Sequence, residues 1–458
     1  MIRQSLAAAT LFLAVPSAAQ SISQDDLQAR YDRSLAAGYK ALFLCSAIAN
    51  GEDRGGLRTV QSVEEWELAG IQEPLATILP TLPDARIERA SAGDFGTLDT
   101  IRSVSVDYAE DAPPRAAFHK RGSGCSLLPP GMTEAPSVPA TTAPSMASPY
   151  RIMPPEVPVA ENELGRVGFA DRYGTGTRTT AVVVLKNGAI VGEAYAQGFG
   201  VYTAQRTWSV AKSIAATIVG TAVHRGSADV HQSAGLGMGD ARGSITIDHL
   251  LRMASGRYSD TAGNRTDPLY FGGSTVSETA LHWPVIHSPG SVFRYANNDT
   301  LAAVAAIKDQ FAAHPPVELF ARLGMAHTVA ETDWQGDYIL SSQVWSTARD
   351  LARFGQLYLD DGKLADGTRI LPEGWVRYVS TPSGPQPDGP FGYGAGFWLL
   401  DKSEGVPADT FAAMGNRGQF IIIVPSMNVV IVRRGEDPTG TRFDVAGFSR
   451  DILELLEK

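Results

Sequence analysis

Apolar residues gather near both ends of the chain's second half in short β-branched runs, and the spacing between the runs predicts how they pair. In TTAVVVLKNGAIVGEAYAQG, Thr179–Gly198, two such runs flank Asn187-Gly188, a dipeptide that accepts the left-handed backbone of a tight hairpin turn. GQFIIIVPSMNVVIVRRG, Gly418–Gly435, predicts a second strand pair around Pro425-Ser426. Asp444 to Lys458 carries helical spacing and closes the chain. The residues between the two strand pairs read mostly as helices and loops. Strands at both ends with a helical insert imply an α+β unit: an antiparallel sheet completed from the two ends, flanked by helices, with a helical lobe. A reaction site would lie between sheet and lobe.

The first part of the chain has a different pattern. Ser23-Gln-Asp-Asp26 precedes Leu27, Tyr31, Leu35 and Leu42, the end signal and spacing of a capped helix. Ser62-Val-Glu-Glu65 is read as the start of a second helix. Alternation over 101–108 and 115–119 predicts short strands. From Pro129 to Pro158 the composition turns to Pro, Ala, Ser and Thr, which cannot bury enough apolar surface to fold alone. The boundary is placed near residue 145, giving a small α/β domain with linker over 20–145 and a larger domain over 146–458. The linker could instead wrap the second domain as an ordered arm. Nothing in the first unit reads as a reaction site.

Residues 1–19 lie outside both domains. MIRQSLAAATLFLAVPSAAQ has one early Arg, a short apolar run and a small-residue end, the pattern of a signal peptide cleaved after about Ala19. A periplasmic or secreted protein is expected, with no stable membrane span. In that setting Cys45 and Cys125, the two cysteines of the chain, are most simply a disulfide. Of the 458 residues 44% are hydrophobic and 19% charged, as in a soluble globular protein, and the net charge of −10 argues against a nucleic-acid partner. Oligomeric state is not legible.

Chemistry enters with QRTWSVAKSIAATIVG, Gln205–Gly220. Small and apolar residues from Ser213 to Val219 predict a helix buried on most sides. Ser209 and Lys212 then share its first turn. Burial and the positive end of the helix dipole both disfavour the charged amine, and a lysine driven neutral can take the proton of a serine nucleophile. The plain alternative is a lysine snorkelling to water. Tyr295-Ala-Asn297 adds a phenol able to exchange protons with the amine and an amide able to hydrogen-bond both lysine and substrate. In MGNRGQF, Met414–Phe420, Gly418 would let a substrate carbonyl approach, and the N–H of Gln419 would pair with that of Ser209 as an oxyanion hole. HLLRMASGRYSD, from His249 to Asp260, is expected as a cleft wall.

In this order the motifs resemble the serine hydrolases of the β-lactamase and penicillin-binding-protein superfamily, in particular its class C-like branch of esterases, D-amino-peptidases and 6-aminohexanoate-dimer hydrolases. The S-x-x-K motif is matched by Ser209-Val-Ala-Lys212, the Y-x-N motif by Tyr295-Ala-Asn297 and the LL-x-x-x-SG segment by LLRMASG. The resemblance covers about residues 165 to 458. It implies Ser209, Lys212 and Tyr295 as catalytic residues and no cofactor. The third motif departs: Asn416-Arg417-Gly418 stands where β-lactamases and transpeptidases carry lysine-threonine-glycine, and arginine has a different reach and geometry. Ester or linear-amide hydrolysis is therefore expected ahead of β-lactamase or D-Ala-D-Ala peptidase activity. Tyr270 and Phe271 fall where related amide hydrolases carry a loop over the cleft, and Tyr393 and Trp398 are candidates for its other side. There is no H-E-x-x-H or G-x-S-x-G motif, and Gly235 to Gly243 reads as a loop. A reading of another class is a catalytically weak penicillin-binding fold used for recognition.

Overall fold

The computed structural model describes residues 21–90, 100–135, 162–237, 239–258 and 266–458. The expected signal peptide and the centre of the Pro-rich stretch, with its boundary near residue 145, lie outside the described residues.

Helix α1, Gln24–Glu52, starts where the sequence places it: the Ser23 hydroxyl accepts from the Asp26 N–H. Helix α2 spans Val60–Trp66 and begins earlier than its expected start at Ser62, because the Thr59 hydroxyl accepts from the Ser62 N–H and so caps it. Strands β1 (Arg86–Arg89), β2 (Ile101–Val106), β3 (Arg115–Lys120) and β4 (Gly124–Leu127) follow and form an antiparallel meander. The Cys45–Cys125 disulfide joins α1 to β4.

The larger sheet begins with the hairpin of β5 (Thr179–Lys186) and β6 (Ala189–Tyr195), turned at Asn187 and Gly188, both of positive φ. Three helices matter next: α3 (Val210–His224), α4 (Asn297–Ala305) and α5 (Ala348–Leu359). Strands β7 (Gly392–Tyr393), β8 (Trp398–Leu399), β9 (Phe411–Gly415), β10 (Gln419–Val424) and β11 (Val429–Gly435) complete the sheet, and α6 (Val445–Glu457) ends the chain. The antiparallel order β7-β8-β9-β10-β11-β5-β6 joins the two ends of the unit, with β11 against β5.

Alternation along the central strands divides two cores. Val183, Ile421, Ile423, Val430 and Val432 pack with Ile214 and Phe354 of α3 and α5. Val182, Val184, Ile422 and Ile431 pack with Phe448 and Ile452 of α6. A sheet covered on both faces needs near-continuous apolar strands, which explains why these runs look unbroken rather than alternating.

The first unit does not stand apart from the second. Every residue of α1 from Ser34 to Gly51 is buried, because its own sheet covers one side and the larger unit covers the other. One apolar cluster contains Phe43, Ile48 and Val104 together with Trp208, Tyr270, Phe271 and Trp345. Polar ties cross the same contact. The buried Glu331 carboxylate accepts from Cys125 N, Asn50 Nδ2 and Trp345 Nε1 at 2.9, 3.1 and 3.0 Å. The Arg115 guanidinium donates to Leu128 O and Gly272 O, each at 2.9 Å.

Candidate active site

The chain enters α3 through a sharp turn. The Thr207 N–H donates to Val344 O at 2.8 Å, and Trp208 then takes a φ of 49°, a region an L-residue of this size enters only when its surroundings hold it there. Those surroundings are aromatic and cationic: the Arg206 guanidinium lies 4.1 Å from the Trp208 ring, 5.0 Å from Phe43 and 5.3 Å from Tyr270. The turn delivers Ser209 to the head of α3, partly accessible at the floor of a cleft.

One turn on, Lys212 is 1% exposed. Its Nζ lies 2.9 Å from Ser209 Oγ, 2.7 Å from Asn297 Oδ1 and 2.9 Å from Ser341 O. Burial pushes this lysine down to about 7, and the Arg206 charge works in the same direction. The three partners differ in what they can do. Asn297 Oδ1 and Ser341 O only accept, so a neutral amine spends its two N–H bonds on them and keeps its lone pair for the Ser209 hydroxyl. The Asn297 amide is oriented by a bond from Nδ2 to Thr266 Oγ1 of 3.0 Å.

Tyr295 stands beside the pair, its ring centroid 5.1 Å from Lys212 Nζ. Burial raises its phenol to about 12, and hydrogen bonds with Ser209 and Trp398 offset this only in part. Behind it, the Arg294 N–H donates to Met253 O at 2.7 Å and the Ala296 N–H to Met253 Sδ at 3.4 Å. The described part of HLLRMASGRYSD therefore backs the Tyr295 segment and does not line the cleft, contrary to expectation. Its Ser255 and Arg257 bind the buried Asp299 carboxylate of α4 at 2.7 and 2.9 Å.

The glycine-containing turn after β9 approaches from the other side. Gly415 sits so close to the nucleophile turn that an added Cβ would stand 2.5 Å from Thr207 O and 3.1 Å from Ser209 N. Arg417, with φ 57°, and Gly418, with φ 79°, then reverse the chain. Asn416 is exposed at the cleft, and Gly418 lines it. Gln419 is fully buried and absent from the lining: its Nε2 donates to Arg417 O and Gly435 O, and its Oε1 accepts from Arg434. The sequence reading gave its N–H the oxyanion position; of this turn, Gly415 and Asn416 line the cleft and Gly415 packs against the Ser209 backbone.

Arg417, a candidate substrate-binding residue, has partners of its own. Its Nε donates to Glu436 Oε2 at 2.7 Å, and its Nη2 donates to Trp66 O and Ala69 O, both at 2.8 Å. The charge is matched by a buried carboxylate and Nη2 is held by the first unit, while Nη1 is buried with no hydrogen-bond partner among the described residues and the residue lines the cleft. Of the aromatic candidates, Tyr270, Phe271 and Trp398 line the cleft. The Tyr270 hydroxyl is paired with Ser341 Oγ at 2.6 Å. Tyr393 does not reach the cleft: it is 1% exposed and packs edge-on against Trp398.

Sequence reasoning missed Arg206, Ser341 and Thr266. Arg206 had only a weak signal, a cation three residues before Ser209. Ser341 acts through its carbonyl, which no side-chain pattern betrays.

A serine, a buried lysine and a tyrosine gathered between an antiparallel sheet and a helical lobe define a serine-hydrolase architecture. The chain belongs to the β-lactamase family, whose sequence profile matches residues 168–444. It is similar to the 6-aminohexanoate-dimer hydrolase of Paenarthrobacter ureafaciens, with 27% identity over 293 residues, 57% of this chain and 74% of that protein. Among solved structures, a Bacillus anthracis protein assigned as a 6-aminohexanoate-dimer hydrolase superposes with a TM-score of 0.54 at 22% identity, covering 66% of this chain and 87% of its own. The first unit lies outside the family match.

Proposed function

We propose that the protein hydrolyses esters or linear amides through an acyl-enzyme on Ser209. The observation that carries this reading is the contact between Ser209 Oγ and the buried Lys212 amine, 2.9 Å apart, with the lysine poised near neutrality. Neutral Lys212 takes the hydroxyl proton as Oγ attacks the carbonyl carbon. The backbone N–H groups of Ser209 and Asn416 hold the oxyanion in place of the Ser209–Gln419 pair expected from sequence. Tyr295, protonated at neutral pH, gives its proton to the leaving group and regains one from Lys212. Water then attacks the acyl carbon, its proton passing to the same pair, and Ser209 is released.

The match of Arg417 to Glu436 and the first unit favours neutral substrates over carboxylate-bearing β-lactams or D-Ala-D-Ala termini. The similarity to a 6-aminohexanoate-dimer hydrolase supports linear amides as one substrate class. The Cys45–Cys125 disulfide supports export to the periplasm or beyond, with residues 1–19 as the signal peptide.

The test is turnover of p-nitrophenyl butyrate and of a chromogenic cephalosporin by the mature protein and by Ser209→Ala. Ester turnover reduced at least a thousandfold in the variant, with the cephalosporin untouched, is expected. Intact ester hydrolysis in Ser209→Ala would remove the central claim. Cephalosporin turnover would move the protein to the β-lactamase side.

A further inference from the structure

The cleft above Ser209 has a volume of about 1170 Å³, large for a small acyl group. Part of its wall comes from outside the family match. Tyr31 of α1 and Pro74 after α2 line it, facing Pro268 and Phe271 of the larger unit. The polar Gln28, Asp32, Gln72 and Glu73 stand at their side, with the buried Leu35 and Leu75 beneath. Tyr31 is 41% exposed, an aromatic ring turned to solvent inside a cleft.

This wall is fastened at both margins. On one side Gly38 of α1 packs so tightly that an added Cβ would stand 2.1 Å from Phe271 O, and Arg115 donates to the neighbouring Gly272 O. On the other, Arg417 binds Trp66 O and Ala69 O, and the Thr439 N–H donates to Gly70 O at 2.7 Å. The first unit thus spans from the Tyr270 segment to the turn after β9, the two flanks of the nucleophile.

We infer that the first unit sets substrate specificity, its Tyr31 face forming an apolar seat for the extended, uncharged chain of an acyl substrate whose reacting end is at Ser209. This inference rests on the ester- and amide-hydrolase reading above. An apolar chain gains by leaving water along Tyr31 and Pro74, both exposed, and a longer chain covers more of that surface than a short one. Arg417, already neutralised, offers a terminal carboxylate no compensation for losing its hydration.

The experiment uses ethyl and decyl fluorophosphonates, which form a bond from Ser209 Oγ to phosphorus as fluoride leaves and the hydroxyl proton passes to Lys212. Labelling is located by mass spectrometry, and the ratio of decyl to ethyl labelling rates is compared across variants. Tyr31→Ala is expected to lower this ratio about fivefold, the effect of losing part of one ring's apolar contact. Tyr31→Phe, which keeps the ring, should retain it, a rescue that a merely structural role for Tyr31 would not tie to chain length. Labelling at Ser209 with an unchanged ratio in Tyr31→Ala overturns the inference alone. Labelling of Ser209 by the ethyl probe but not the decyl probe in the native protein likewise overturns the inference alone, whereas failure of both probes to label Ser209 overturns the functional reading and this inference with it.

Discussion

At the scale of single residues, Lys212 has consequences for both rate and stability. Its neutral form is the base, so kcat/KM should rise with pH through about 7 and fall away below it. Arg206 adds to the lowering, so Arg206→Met should move that limb to higher pH while Arg206→Lys leaves it in place. The same depression acts on folding. Between about pH 7 and the ordinary lysine value of 10.5 the unfolded chain holds a proton that the folded chain has released, so unfolding takes one up and stability rises with pH across this window. Relative to Lys212→Met, the native protein should gain on the order of 1 kcal/mol per pH unit there, read from urea midpoints at pH 7.5 and 9.5. A parallel pH dependence in the two proteins would mean that Lys212 is charged when folded.

Among the elements, the start of α4 depends on a buried ion pair. Asp299 lies two residues after Asn297, and both Arg257 and Ser255 hold its carboxylate. Arg257→Met leaves that carboxylate buried without its counter-charge and should cost about 3–5 kcal/mol in urea unfolding. Strand and helix elements of the larger unit were readable in sequence because their apolar runs answer to covered faces: the hairpin at Asn187-Gly188 and the strands around Pro425-Ser426 stand as the pattern implies. Ser209 and Lys212 meet because residues three apart share a helix face, whereas the approach of Tyr295 and Asn297 to Lys212 is a contact across 85 residues that local spacing does not dictate. The burial of Gln419 was not readable. Whether Asn416 or Gln419 lines the cleft depends on a turn in which Arg417 takes left-handed backbone, and arginine gives no advance sign of that. The burial of α1 from Ser34 to Gly51 was hidden for a related reason, because part of what covers it lies far away in sequence.

For the molecule as a whole, the shared cluster around Phe43, Trp208 and Trp345 predicts joint unfolding. Far-ultraviolet circular dichroism and tryptophan fluorescence should report one coincident transition in urea. Separate transitions would show that the first unit is an independent body. Replacing both cysteines by serine should lower stability by about 4 kcal/mol on the loop-entropy view, without splitting that transition. Arg417 carries the last consequence, and it concerns the paths open to mutation. The lysine of the β-lactamase motif falls at Asn416 and its threonine at Arg417, so a threonine at 417 would move towards that motif but could not reproduce the planar fork that serves Glu436, Trp66 and Ala69 together. The route towards penicillin turnover through that exchange begins by leaving the buried Glu436 carboxylate without its counter-charge and removing one tie between the units, so selection on β-lactams should recover substitutions elsewhere in the cleft before it recovers Arg417→Thr.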